Sequence, residues 1–267
     1  MADGQKRGAR ATVEQAQKKS KQDEKQRTAG HAKKKAIKRV ASEPRSGLGR
    51  FFYNNGLTIA ATALFVLAFV GQILTGHSHY NDEQRQHGEE PVALAEYLTS
   101  GEFVEATAEN WESEFLQMGV FVLLTVFLYQ RGSSESKRLD EPEAVDQPPE
   151  DARDDPDAPW PVRYGGMPLT LYKHSLSIVL LALFAVSFAL HALGGRANYN
   201  EEQVAHGGDT VTTLEYLRTN RFWFESFQNW QSEFLSIAVL VVLSIWLREQ
   251  GSSQSKPVAA STSETGE

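Results

Sequence analysis

The sequence predicts an all-α membrane protein with four transmembrane helices, built from two tandem parallel two-helix repeats with short extracytoplasmic helices. First, segments 53–137 and 172–256 align without a gap at a shift of 119 positions, and 35 of the 85 aligned positions are identical. Second, four apolar runs contain no Asp, Glu, Lys or Arg: 57–76, 115–130, 176–193 and 234–247. Third, basic and acidic residues collect on opposite sides of these runs. Because a repeated sequence is a repeated structural unit, each copy is expected to be a membrane hairpin.

The lengths of the four runs differ. A helix rises about 1.5 Å per residue, so about 20 residues cross a hydrocarbon core of about 30 Å. The runs at 57–76 and 176–193 approach this length, whereas the other two have 16 and 14 residues. Trp111 and Tyr129 bracket the second run, and Trp230 and Trp246 bracket the fourth. These pairs are about 27 and about 24 Å apart along a helix, which suits two interfacial aromatic belts. The alternative is that the short runs are core helices of a soluble domain.

Charge predicts the orientation of the chain. Residues 1–50 hold 15 Lys/Arg against 5 Asp/Glu, loop 77–114 holds one basic residue against ten acidic ones, and loop 194–233 holds three against six. Lys and Arg near a span favour the cytoplasmic side. The rule places both termini in the cytoplasm and both loops outside, in a multi-pass protein of the cell membrane. Since each repeat has an even number of spans, the two repeats share one orientation.

The predicted organisation has five parts. They are a basic arm at 1–50, repeat 1 at 51–138, an acidic Pro-rich linker at 139–165, repeat 2 at 166–256 and a cytoplasmic tail at 257–267. The arm has too few large apolar residues to fold alone, and its charge favours contact with anionic lipid headgroups, a plain topology signal being the alternative. Its lack of interleaved aromatics argues against a nucleic-acid partner. The expected partners are the bilayer and a second copy in a homo-oligomer.

Each outer loop is predicted to hold three helical elements. The first begins at an N-cap, Asn81 or Asn200, and ends at Gly88 or Gly207. The second ends at Gly101 or Asn220, residue types that accept positive φ. The third continues into the membrane, and its Trp/Phe stripe is expected to pack against the stripe of the other repeat.

Four motifs occur in the same order in both repeats: YNxEQxxHG, EYL, NWxSEFL and GSxxSK. With these motifs, residues 48–257 resemble an uncharacterised family of bacterial multi-pass membrane proteins of unknown function. The resemblance implies a cell-membrane location and a four-span layout. It brings no activity, substrate or catalytic residue.

The first candidate site is a pair of Glu/His couples. Glu83 with His87 and Glu202 with His206 have i, i+4 spacing, so the two side chains of each couple lie on one helix face. Two such couples related by a pseudo-two-fold axis would supply two imidazoles and two carboxylates to a divalent metal such as Zn²⁺. The alternative is helix capping, with His near the last carbonyls and Glu in the first turn.

The second candidate site is a polar seam where the third helix enters the membrane. Its residues are Asn110, Glu114 and Gln117, repeated as Asn229, Glu233 and Ser236. Ionisable groups inside a helix bundle mark ion or proton paths, and facing carboxylates would raise one pKa. The alternative is that both carboxylates stand in interfacial water. His191, near the outer end of its run, is expected to bond to a neighbouring helix or to reach the interface.

Missing signatures limit the function. The chain has no Cys, which excludes disulfides and thiolate chemistry. It contains no P-loop, GxSxG, HExxH or dinucleotide fingerprint. The favoured function is therefore non-enzymatic, a structural or interaction role through paired outer helical caps. The alternatives are small-ion or proton transport along the Glu114/Glu233 seam and, more weakly, a metal-binding membrane enzyme.

Overall fold

The computed structural model describes residues 47–266, and that part of the chain is helical with no strand. The α-helices are α1 (Gly47–Gln86), α2 (Leu94–Tyr97), α3 (Gly101–Phe127), α4 (Trp160–Tyr164), α5 (Gly166–Lys173), α6 (Ser175–Ala205), α7 (Thr213–Tyr216) and α8 (Asn220–Leu243). The chain forms two compact units, Met1–Thr75 and Gly76–Glu267. Residues 1–46 of the predicted basic arm lie outside the described part of the chain.

Two helices, α1 and α6, are long and apolar enough to cross a membrane. The first unit is described from position 47, as the part of α1 up to position 75. It exposes large aliphatic side chains such as Leu57, Leu64, Leu67 and Leu74. The helices α3 and α8 do not meet the same criterion, because polar residues occupy their N-terminal parts and their apolar stretches are short. The predicted all-helical class is therefore confirmed for the described residues, which contain two candidate spans and not the predicted four.

The expectation that Asn81 and Asn200 begin new helices is wrong. Both α1 and α6 continue through these residues to Gln86 and Ala205. The Asn81 amide instead donates to the Val92 carbonyl at 3.2 Å, and its Oδ1 accepts from the Val92 N–H at 2.8 Å. Asn200 makes the same pair of bonds with Val211, at 3.0 and 2.8 Å. Each asparagine therefore holds the following loop against its own helix.

The turns that end these two helices contain the glycines that were predicted to end them. Gly88 and Gly207 have φ of 78° and 75°, a left-handed conformation that glycine adopts more readily than any other residue. The predicted second stop is wrong, because Gly101 and Asn220 begin α3 and α8. Ser100 and Thr219 precede them, and their hydroxyl oxygens accept from the backbone N–H groups three residues later. A Ser or Thr N-cap thus starts the helix where a stop was expected.

In the second unit, α3 packs along α6 and also contacts α8. The two helices approach closely at Gly194 of α6, where an added Cβ would collide with the backbone of Glu105 in α3. A small core contains Ala192, Tyr216 and Phe222. The predicted aromatic stripes do not bury each other: Trp223 and Phe227 are 39% and 58% exposed and their rings contact each other along α8.

The acidic segment between the halves is not fully extended. It contains two 3₁₀ turns, Ala144–Asp146 and Pro149–Ala152. Lys137 binds Asp146 at 2.6 Å and Lys173 binds Glu150 at 2.5 Å, so basic residues that flank it partly balance its charge.

Candidate functional site

An open pocket of about 780 Å³ lies in the second unit, where α1 and α6 end. Its walls come from the end of α1 with the start of α3 on one side, and from the end of α6 with the loop after it on the other. Five carboxylates line it: Glu83, Glu89, Glu102, Glu201 and Glu202. His79, His87 and His206 also line it, and the described lining holds no Lys or Arg. The pocket is therefore a site of negative potential.

The four residues of the predicted metal site all line this pocket. Glu83 lies 3.5 Å from His79, and Glu202 lies 2.6 Å from Arg221. His206 Nδ1 contacts the Glu202 carbonyl oxygen at 2.7 Å, as the capping alternative expects. Within residues 47–266, the one cluster of three His, Asp or Glu ligand atoms close enough for a metal lies elsewhere. A metal at the two Glu/His couples stays a prediction.

The predicted polar seam brings the two halves together at Gln117. Its Nε2 donates to Ser236 Oγ at 3.2 Å and to the Glu233 carbonyl oxygen at 3.3 Å. Burial raises the pKa of Glu233, and the Glu114 carboxylate raises it further. Asn110 and Asn229 instead donate to carbonyls of their own helices, those of Ala106 and Glu225. Ion passage along this seam stays a prediction.

A buried ionic network joins α3, α6 and α8 at the level of His191. His191 Nδ1 lies 2.8 Å from Glu112 Oε2, and both side chains are fully buried. Trp230 Nε1 donates to the other Glu112 oxygen at 3.0 Å. His191 therefore bonds across to a neighbouring helix, the first of its two expected roles.

The other side of His191 faces two more carboxylates. His191 Nε2 is 3.5 Å from Glu225 Oε2 and makes no hydrogen bond. The Tyr216 hydroxyl lies 3.0 Å from Glu105 Oε1 and 3.1 Å from Glu225 Oε2. Arg221 Nε donates to Glu225 Oε1 at 2.8 Å. Tyr216 therefore contacts two carboxylates, and Arg221 and His191 both lie against one of these, that of Glu225.

Burial controls the electrostatics of the acidic side chains on α3. It raises the pKa of Glu102 to about 6, with a further contribution from Glu83. It also raises the pKa of Glu105, where the Glu225 carboxylate adds to the effect. The pKa of Glu109 rises to about 7, again chiefly through burial. This helix face therefore concentrates carboxylates that resist ionisation.

Apart from His191, the sequence analysis does not predict the members of the buried network, because they differ between the two copies. Glu105 aligns with Phe224 and Glu112 with Gln231, so a search for residues shared by the copies does not find them. The spacing of the glutamates in α3 is a signal in the sequence that could have indicated the network. Glu105, Glu109 and Glu112 have i, i+4, i+7 spacing, which places three carboxylates on one face of α3. That face packs against α6.

No curated protein and no solved structure matches the chain. A family described as "Domain of unknown function (DUF6766)" matches residues 48–267, a range that contains the pocket, the seam and the buried network. The chain belongs to this family of unknown function.

Proposed function

We propose that this is a multi-pass membrane protein that acts by binding rather than by catalysis, through an outer cap whose acidic pocket takes a small organic cation. The observation that carries the proposal is the pocket of about 780 Å³ lined by five carboxylates. Pockets of about 300–1,000 Å³ hold small-molecule ligands. Without a basic side chain on the described lining, the carboxylates favour a positively charged guest.

The proposed layout has four spans with the cap outside the membrane. It is supported by the apolar ends of α3 and α8, whose side chains are exposed, whereas core helices of a soluble domain would bury them. These include Val126, Phe127, Leu235, Val239 and Leu243. Large exposed apolar surfaces are uncommon on soluble monomers, and lipid would cover these. Contact of the basic arm with anionic lipid and assembly with a second copy belong to the same proposal and rest on sequence alone.

The charge of the pocket depends on pH. Because the pKa of Glu102 is raised to about 6, this carboxyl is ionised above that pH and becomes neutral as the pH falls through it. Cation binding is therefore expected to be weaker at pH 5 than at pH 7.5.

The test is calorimetric titration of the full-length protein in detergent with spermidine, a small organic polycation. We expect saturable binding at pH 7.5 that weakens at least about tenfold in Glu102→Gln plus Glu201→Gln, since each removes a charge facing the ligand. The matched control is Glu96→Gln, an exposed carboxylate of α2 outside the pocket lining, which should bind as the wild type does.

Two results would refute the pocket as the binding site. One is the absence of saturable binding by the wild type at low ionic strength. The other is equal weakening in the control variant, which would mean that spermidine responds only to overall charge.

A further inference from the structure

We propose that Glu105, His191 and Glu225 bind one divalent transition-metal ion beneath the outer pocket. One ligand atom from each residue lies within 4.8 Å of the other two. The three come from α3, α6 and α8, so the ion would join three helices. One imidazole and two carboxylates are a donor set suited to Zn²⁺ and its neighbours in the first transition row.

The orientation of His191 is the first support. Its ring is fully buried, and Nδ1 contacts Glu112 at 2.8 Å. In the neutral ring, a carboxylate that accepts from Nδ1 fixes the proton on that nitrogen and leaves the lone pair on Nε2; a metal ion would take the place of the second proton of the charged ring. Metal-binding histidines are commonly held in this way by a carboxylate behind the ring. The buried Nε2 has no hydrogen-bond partner and points at Glu225.

The position of Tyr216 is the second support. Its hydroxyl contacts one oxygen of Glu105 and one of Glu225, at 3.0 and 3.1 Å. A phenol has a single proton and can donate to only one of them. The remaining contact between oxygens is unfavourable if both carboxylates are ionised, and a cation between the two carboxylates would remove the repulsion.

Arg221 leaves one oxygen of Glu105 and one of Glu225 available to bind the metal ion. Its Nε binds Glu225 Oε1 at 2.8 Å, and a terminal nitrogen lies 3.6 Å from Glu105 Oε2. The other oxygens, Glu105 Oε1 and Glu225 Oε2, are the pair that contacts Tyr216. The guanidinium therefore holds the outer edge of the two carboxylates, and their inner oxygens face the cluster.

Charge favours a cation of charge +2. The carboxylates of Glu109, Glu112 and Glu225 lie close enough to His191 to interact electrostatically, and Glu105 lies within 4.8 Å of it. Arg221 supplies one positive charge beside Glu105 and Glu225. Buried carboxylates are costly unless paired, and a divalent ion would pair with those of Glu105 and Glu225.

Two side-chain contacts link the site to the pocket wall. Asn198 lines the pocket and donates to Glu105 Oε2 at 2.6 Å. Glu202, also on the lining, binds Arg221 at 2.6 Å. The pocket wall is therefore one residue, Asn198, away from the proposed ligand Glu105.

The test uses the full-length protein in detergent, stripped with a chelator and titrated calorimetrically with Zn²⁺. We expect one ion per chain, with affinity reduced more than about 100-fold in His191→Gln and Glu225→Gln, since each loses a ligand. Glu112→Gln should weaken binding about 10- to 100-fold, because it alters the group that orients the imidazole. Bound Co²⁺ should give a visible absorption spectrum that changes in Glu112→Gln.

The matched control is the double variant His87→Gln, His206→Gln, which removes two imidazoles from the pocket wall and should leave this site intact. Circular dichroism would verify that each variant is folded, and Zn²⁺ should raise the melting temperature of the wild type. The proposal is overturned if the wild type binds no Zn²⁺. It is also overturned if the control loses the ion while folded His191→Gln keeps it, since the two Glu/His couples would then hold the metal.

Discussion

At the scale of single residues, an asparagine in the last turns of each long helix holds the loop that follows the helix. Asn200 supplies an acceptor to the Val211 N–H and a donor to the Val211 carbonyl, so both backbone groups are satisfied by one side chain. The sequence shows why such a residue is easily misassigned. An asparagine that caps a helix and one that holds a loop have the same side chain, and the choice depends on whether the backbone before it is already helical.

We expect Asn200→Ala to destabilise the protein by about 1–3 kcal/mol, because it leaves the N–H and carbonyl of Val211 without their partner. The measurement is thermal unfolding in detergent, followed by circular dichroism. Asn110→Ala is the matched control, since the Asn110 amide is exposed and bonds only to Ala106 of its own helix. Equal loss of stability in the two variants would contradict this role for Asn200.

At the scale of elements, the approach of α3 to α6 decides the geometry of the buried network. Gly194 allows the two helices to touch at Glu105, which places Glu105 near Asn198 and Glu112 near His191 further along the helices. The sequence predicted both helices but not their pairing. The pairing of α3 with α6 depends on residues that occur in one repeat only. Comparison of the two repeats instead draws attention to the residues that both contain.

Gly194→Ala should destabilise the protein by about 1–3 kcal/mol, the usual effect of adding a group to a packed interface. The new methyl would meet the α3 backbone, which cannot move aside as a side chain can. A lower melting temperature with altered near-UV circular dichroism is the expected observation.

Gly71→Ala is the matched control for that substitution. An added Cβ there has no neighbour within 4 Å, and alanine favours a helix over glycine by about 1 kcal/mol. Its melting temperature should be unchanged or higher, and a decrease similar to that of Gly194→Ala would show that close packing is not the cause.

At the scale of the whole molecule, the two long apolar helices and the helical class follow from composition and periodicity, because lipid requires long uncharged runs. The number of membrane spans cannot be derived from composition and periodicity in the same way. The apolar segments of α3 and α8 are shorter than those of α1 and α6, so within residues 47–266 length and hydropathy identify α1 and α6 alone as candidate spans.

Chemical labelling tests the proposed orientation, since the chain contains no cysteine and each introduced one is unique. The variants Glu90→Cys and Asp209→Cys lie in the two outer loops, and Asp154→Cys lies in the linker; all three positions are exposed. A membrane-impermeant maleimide should label the first two on intact cells and the third only after permeabilisation. Labelling of all three in intact cells would refute the four-span layout.

The cross-half pairing of Glu112 with His191 also affects how the chain is made. The two positions are 79 residues apart, so a ribosome finishes α3 well before the histidine is translated. During that interval the nascent first half carries the acidic face of α3 without its later partners. Neither half would then mature alone, and a gene split between them should yield stable protein only when both pieces are synthesised together.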